Sequence, residues 1–291
     1  MKKKSICLII FFASGILNLY SQSYIELSVE NDLYFLTDQY YSSGIVISYG
    51  KKKDTKVNHW RLGQEIYHPS NRYTVDLNKI DYPYSGWLYL QNEKEFFLND
   101  NSSYSWGTEI GVTGDASLAR TFQNFYHQTF LSLPKLTWTG AQPQRFHFGF
   151  FGQFNKGTSL SNNVHLTSQL YSKLSSYRIQ AYARIGLLIS STHKLPFQKI
   201  SFEKLKSSRG IYIGTRQEYR PHDFALSGSL FNNTSKLTVT NLKFRNSIEF
   251  GFFFKKKNWM ILTLYQSMSR DTPGQKNKRH KVLNITIRNE F

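Results

Sequence analysis

The chain has 291 residues and a single cysteine, Cys7. It falls inside an apolar amino-terminal stretch, too early and wrongly flanked for a lipid-anchor cysteine. The rest of the chain can therefore form no disulfide, thiolate nucleophile or cysteine metal site. Beyond residue 22 there is no run of about 18 apolar residues, which excludes a membrane-crossing helix. Acidic residues are scarce: 19 Asp and Glu stand against 37 Lys and Arg, for a formal charge of +18. Such a balance points to a polyanionic partner, either nucleic acid or a phosphate-bearing membrane surface. Nucleic acid is not expected, because no docking motif or base-stacking module is present. Also missing are a Gly-x-Ser-x-Gly elbow, a His-Glu-x-x-His pair and a phosphate-cradling glycine loop. No internal repeat or long linker divides the chain.

What is present begins with its two ends. Lys2, Lys3 and Lys4 precede an apolar run from Ile6 to Ile16, and Asn18 to Gln22 supplies a polar exit. This reads as a signal peptide over residues 1–22, too short to span a bilayer. At the other end, Leu283, Ile285, Ile287 and Phe291 share one parity, and Asn284, Thr286, Arg288 and Glu290 the other. A period-2 strand ending on an aromatic carboxyl terminus looks like the assembly signal of outer-membrane β-barrels. With 19 Tyr and 23 Phe, the chain has enough aromatics for girdles at two membrane interfaces.

Twelve strand-like segments follow: 24–32, 40–50, 58–67, 84–97, 104–113, 144–155, 176–190, 208–219, 223–231, 236–252, 258–270 and 280–291. The polar stretch 160–175 reads as a short periplasmic helix. Alternation is clearest from Tyr177 to Ser190. There Tyr177, Ile179, Ala181, Ala183, Ile185, Leu187 and Ile189 are expected to face lipid, and Arg178, Gln180, Tyr182 and Arg184 the lumen. The fold class is thus all-β, with residues 23–291 forming one twelve-stranded antiparallel transmembrane barrel in the outer membrane. A soluble β-sandwich gives similar alternation but needs neither the leader nor the terminal Phe. A barrel of this size is filled by side chains and makes a poor pore.

Two regions could carry chemistry. The first hairpin gathers Glu30, Asn31, Asp32, Thr37, Asp38, Tyr40, Tyr41 and Ser42. Strand parity puts Glu30, Asp32 and Ser42 on the lumen face, with Asp32 and Ser42 at one rim. Carboxylates, an amide and hydroxyls can hold a hard cation such as calcium; the same residues also make ordinary hydrogen-bonded turns. The second region is the excursion 114–143, where Asp115 to Leu131 fits an amphipathic extracellular-loop helix. Leu118, Phe122, Phe125 and Thr129 would form its packing stripe, and Arg120, Gln123, Asn124 and His127 its polar face. An imidazole placed there could act as general base, or be an ordinary surface histidine. The remaining histidines have no spacing that suggests a metal pair.

These residues resemble a known family, the lipid A 3'-O-deacylases of LpxR type. Glu30-Asn31-Asp32 followed by Thr37 to Gly44 resembles its opening signature. Gly63 to Pro69 (GQEIYHP) is similar to its next block, and Asp81 to Tyr89 (DYPYSGWLY) to its most distinctive one. Gly111 to Gly114 leading to Gln123-Asn124-Phe125-Tyr126-His127 resembles its helix with the active-site histidine. The likeness is good over residues 24–150 and is barrel pattern alone thereafter.

The resemblance implies a calcium-dependent esterase, similar in mechanism to phospholipase A2, that removes the 3'-linked acyloxyacyl chain from lipid A. Carried over, His127 would activate a water and Asp32 with Asn31 would hold Ca2+, with Ser42 supplying a hydroxyl near the site. This sequence departs from the family pattern in having no acid between Gln128 and Gln144, a role Glu30 or Asp38 could fill, and in having Tyr82 at a usually basic position. The expected partners are lipopolysaccharide and the outer membrane, with Lys194, Lys199, Lys204 and Lys206 as candidate phosphate contacts or solvated loop charges. The protein is expected to be a monomer. A non-catalytic lipopolysaccharide-binding barrel and an outer-membrane phospholipase A are the alternatives; the latter wants a Ser and His pair on neighbouring strands that is not identifiable.

Overall fold

In the computed structural model, residues 23–32, 35, 39–190, 207–232 and 234–291 are described. The proposed leader, Thr37, Asp38, His193 and the four loop lysines lie outside them. Twelve antiparallel strands close into one barrel. They are β1 (Ser23–Asn31), β2 (Tyr40–Lys53), β3 (Lys56–His68), β4 (Ser85–Asn99), β5 (Ser102–Thr113), β6 (Phe146–Ser159), β7 (Val164–Ser175), β8 (Arg178–Ile189), β9 (Ser207–Asp223), β10 (Phe244–Lys256), β11 (Trp259–Ser269) and β12 (Arg279–Glu290). The first and last strands pair from Tyr24↔Glu290 to Asn31↔Leu283. No sheet edge is left over, which is the condition for strands to stand in hydrocarbon.

The expected number of strands is correct, but two of the segments are exchanged. Residues 164–175 form β7, not a helix. Leu166, Leu170 and Leu174 point outward, while His165, Thr167, Gln169 and Lys173 point inward. Its serines and threonines hide a period-2 pattern that a barrel with a polar lumen permits. Conversely, 223–231 is no strand: β9 runs on to Asp223, whose side chain caps the short helix α2 (Phe224–Ser227). The strand expected from 236 begins only at Phe244. Tyr177 is a further correction. It precedes β8, is fully buried, and stacks on Trp87 with ring centroids 4.1 Å apart.

The strand connections alternate between two ends of the barrel. Hairpins at 54–55, 100–101 and 257–258 mark a turn end; 69–84, 114–145, 224–243 and 270–278 mark a loop end. The interior is layered between them. Tyr40, Tyr67, Tyr82, Trp87, Tyr89 and Tyr177, with Phe224, Ala225 and Leu226 of α2, seal the loop end. Leu188, Tyr212, Phe253, Met260, Leu262 and Leu264 fill one side of the turn end. Between them lies a charged layer around a cavity of about 440 Å³. Lys173–Glu109 (2.5 Å), Arg184–Glu249 (2.9 Å) and Arg220–Asp223 (2.9 Å) are paired there. An aromatic cap thus lies over a paired charge layer in the barrel interior.

Candidate functional site

The long excursion from β5 to β6 carries a helix onto the outside of the barrel wall. At its base the Thr113 hydroxyl donates to the Pro143 carbonyl (2.8 Å) and accepts from the Arg145 amide (3.2 Å). Gly114 follows at φ +69, where a side chain would strike the Gln144 backbone. A 3-10 turn (Gly114–Ser117) and Leu118 in a left-handed conformation (φ 59) redirect the chain into α1 (Ala119–Phe130). The helix thus starts four residues later than the sequence suggests. The Gln64 amide, on the outward parity of β3, donates to the Ser117 carbonyl at 2.6 Å. Beyond the helix, the Leu136 amide donates to Asn124 Oδ1 (2.8 Å). Leu136 and Trp138 then pack with Ile66, Tyr84 and Ala119.

The face that α1 turns inward is the one expected to be polar. Its buried residues are Ala119, Gln123 and His127, spaced i, i+4 and i+8. The stripe of Leu118, Phe122 and Phe125 exists but is not the side turned to the barrel: these three side chains stay exposed. A helix in water turns its apolar side to the protein, and α1 does the reverse.

Beneath the inner face, register aligns four outward-facing positions on four strands: Asn31↔Ser43, Ser43↔Ile66 and Ile66↔Gly86. Gly86 touches α1 so closely that a Cβ there would collide with the Ala119 methyl and the Ser117 hydroxyl. The helix is therefore anchored over β4 and β3. From Ala119 to His127 it advances about 12 Å; from Gly86 to Asn31 is three strand spacings, about 14 Å. Gln123, which the sequence put on the polar face but to which no site role was assigned, sits one turn before His127. Its side-chain amide is buried, and neither of its polar atoms has a hydrogen-bond partner among the described residues. The i, i+4 spacing of Gln123 and His127 was the signal that could have found it.

The first hairpin brings Asp32 and Ser42 together as expected. The Asp32 amide donates to the Ser42 carbonyl at 3.3 Å, and a bulge between Tyr41 and Ser43 leaves Ser42 as the extra residue. The Asp32 side chain is fully buried and accepts from the Gln39 amide at 2.8 Å. His280 of β12, which sequence spacing did not recommend, lies 3.9 Å from the same carboxylate oxygen and donates from Nε2 to the Tyr41 carbonyl (2.9 Å). Glu30 is placed differently. One of its oxygens accepts from the Tyr41 hydroxyl at 2.5 Å, the other from the Asn284 amide at 3.2 Å, both in the barrel interior. No group of three or more His, Cys, Asp or Glu suited to a metal occurs among the described residues. The oxygens fit for a hard cation are thus the Asp32 carboxylate with neutral amide, hydroxyl and carbonyl donors.

Above this hairpin the blocks singled out in the sequence brace one another. The Tyr40 hydroxyl donates to Asp81 (2.9 Å) and accepts from the Lys276 amide (2.8 Å). The Ser70 amide and hydroxyl hold the same Asp81. His68 is buried beside Tyr84 and donates to the Pro69 carbonyl. Tyr82 donates to Asp271 at 3.3 Å, and burial, reinforced by that carboxylate, pushes its phenol well above the usual tyrosine range. It stays neutral, so a position that is basic in the family pattern carries no phenolate charge here.

The sequence pattern of the LpxR outer-membrane protein family matches residues 5–291. The fold superposes on LpxR from Salmonella typhimurium with a TM-score of 0.77 at 16% identity, covering 92% of this chain and 100% of that one. The β domain of the Bordetella autotransporter BrkA is a more distant likeness, with a TM-score of 0.45 and 9% identity over 93% and 98% of the two chains. No curated protein matches the sequence. With the family pattern spanning nearly its whole length and a closed twelve-stranded barrel to match, this chain belongs to the LpxR family of outer-membrane proteins.

Proposed function

We propose that the protein is a lipid A ester hydrolase that removes the 3'-linked acyloxyacyl chain, with His127 as general base. The observation that carries this reading is the inner face of α1: an imidazole and a buried amide, one turn apart, held against the barrel wall beside the row Asn31, Ser43, Ile66 and Gly86. A water-soluble ester would reach such a slot only through hydrocarbon. A lipid with its ester near the base of its chains reaches it by lateral diffusion.

In this mechanism His127 takes a proton from water as the water oxygen bonds to the ester carbonyl carbon. The tetrahedral intermediate then collapses by breaking the bond from that carbon to the sugar oxygen. The proton held on His127 passes to that oxygen, releasing the fatty acid and a sugar hydroxyl. Asp32, Asn31 and Ser42 are the residues that would hold calcium, which when bound polarises the ester carbonyl as a Lewis acid. Glu30 is not among them in this reading, since Tyr41 and Asn284 engage both its oxygens. The Gln123 amide is positioned to hydrogen-bond the substrate near His127. The basic surface offers partners to lipid A phosphates.

The test is mass spectrometry of lipid A from cells producing the protein, with and without calcium chelation, and with His127→Ala and Asp32→Ala. The expected result is a loss of mass equal to the acyloxyacyl group, abolished by either substitution while the barrel still assembles. An unchanged acyl pattern with assembled wild-type barrel refutes the hydrolase and leaves a lipopolysaccharide-binding protein.

A further inference from the structure

The exposed stripe of α1 needs an account that the ester chemistry does not supply. Leu118, Phe122 and Phe125 are 58%, 40% and 57% exposed, and Phe130 at the helix end is 54% exposed, its ring against those of Phe125 and Tyr126. In wheel projection at 100° per residue, Leu118, Phe122, Phe125 and Thr129 fall within one arc of about 60°. Arg120, Asn124 and Gln128 fall on the other flank, and α1 contains no Asp or Glu. The helix therefore has three sides: one on the barrel, one apolar and exposed, and one polar.

The height of the helix on the wall says what covers the apolar side. Tyr49 and Trp60 are register partners on β2 and β3, face outward near the turn end, and mark the aromatic girdle there. Along β3 from Trp60, the outward positions are Leu62, Gln64 and Ile66, and Ile66 touches α1 through Ala119. Six residues at about 3.3 Å each, on strands tilted about 40°, raise Ile66 roughly 15 Å above the girdle. The apolar band of such barrels is about 25 Å tall. The seat of α1 is thus still about 10 Å inside the band. The neighbouring wall agrees, since Leu62, Leu90 and Ile110 form one exposed apolar row just below. Gln64, the polar side chain between that row and the helix seat, is bonded to the Ser117 carbonyl as a hydrocarbon setting demands.

We infer that α1 is an interfacial helix immersed in the lipid leaflet at the loop end, with Leu118, Phe122, Phe125 and Thr129 in contact with acyl chains. The occupant of the apolar stripe is the hydrocarbon of the surrounding lipid, because the stripe is continuous with the lipid-facing wall. Arg120 and Gln128 point toward the headgroup layer. The helix is then no aqueous lid over the barrel mouth but part of the membrane-embedded surface, and acyl chains gain access to its inner face from the side. The inference rests on the membrane location and not on the hydrolase reading, so the two can fail separately.

The single cysteine makes the test clean. In full-length Cys7→Ser protein, Phe125→Cys and Thr129→Cys label the stripe, and Arg120→Cys and Gln128→Cys the polar flank. Each carries a nitroxide, in vesicles of phosphatidylcholine with lipopolysaccharide. Thr129→Cys replaces no aromatic ring and serves where Phe125→Cys disturbs the helix. Collision with oxygen, which concentrates in hydrocarbon, is compared with collision with a water-soluble nickel chelate. The oxygen-to-nickel ratio is expected to be severalfold higher at 125 and 129 than at 120 and 128. Equal ratios at all four sites, or nickel access to 129 matching that of a label in the 270–278 loop, overturn the inference.

Discussion

Gly86→Ala tests whether the seat of α1 on the wall holds the chemistry. A methyl at Gly86 lands inside the van der Waals envelope of both the Ala119 methyl and the Ser117 hydroxyl, with Ser117 Cβ 3.2 Å away. Carbon atoms prefer separations of about 3.5–4.0 Å, so the amino-terminal turn of α1 must retreat by about 1 Å or more. Neither obstacle is the end of a long flexible side chain. Overpacking of this kind costs about 1–3 kcal/mol, and it falls on the docking of the helix, because β4 keeps its ladders to β3 and β5. Displacing reacting groups by about 1 Å is worth roughly a hundredfold in rate. Deacylation of lipid A in vesicles, followed by mass spectrometry, is therefore expected to slow by about two orders of magnitude. The folded barrel's fast migration in unheated gels should not change. Adding Ala119→Gly removes one of the two collisions and should return part of the rate. An assembled Gly86→Ala barrel with wild-type turnover would show that the position of α1 is irrelevant to the reaction.

Gln123→Leu keeps the bulk under α1 but removes its amide; turnover should fall about 10–100-fold with barrel stability unchanged, and an undiminished rate denies the amide a role. Glu249→Leu strips the buried Arg184 of the carboxylate 2.9 Å from its Nε. The urea midpoint of refolding into vesicles should drop, by about 3–5 kcal/mol in stability, and Arg184→Met in the same chain should recover most of it. Trp87→Ala empties the space between Tyr89 and Tyr177, on which the indole stacks at 5.9 and 4.1 Å. A loss of about 3–5 kcal/mol is expected in the same titration; an unchanged midpoint would mean that the aromatic cap at the loop end contributes nothing to stability.

The barrel was legible because lipid on one side and a polar lumen on the other impose alternation on every strand. β12 shows it plainly, with Leu283, Ile285 and Ile287 on one side and Asn284, Thr286 and Arg288 on the other. It was least legible where outward positions carry small or polar residues. On β7 the outward side includes Ser168 and Ser172, so the strand passed for a polar helix. In 223–231 the apolar run Phe224, Ala225 and Leu226 is buried as a cap on the lumen and not as a strand. The two errors cancelled in the strand count, so a correct total concealed a wrong assignment. The misplacement of Tyr177 has the same root. One residue before β8 the chain is no longer pleated, and parity extrapolated past the last paired residue puts a buried ring in lipid.

For the site, sequence order located the pieces, and the medium decided which way they face. Asp32 and Ser42 met at the rim because hairpin geometry alone brings them there. The helix was found with its stripe intact, but the stripe was assigned to the protein by the rule for soluble helices. That rule compares protein with water; on this wall the comparison is between protein and hydrocarbon, and phenylalanine has no reason to prefer the barrel. Gln123 and His127 do, since an amide or imidazole turned outward would face a medium that holds no hydrogen-bond partner at all, while the inner face opens on the slot beside β3 and β4. The polar residues of α1 thus seek the protein for the reason that apolar residues of a soluble helix do. For a helix docked on a membrane barrel, candidate catalytic groups should be sought on the side opposite to its apolar stripe, at the spacing that Ala119, Gln123 and His127 display.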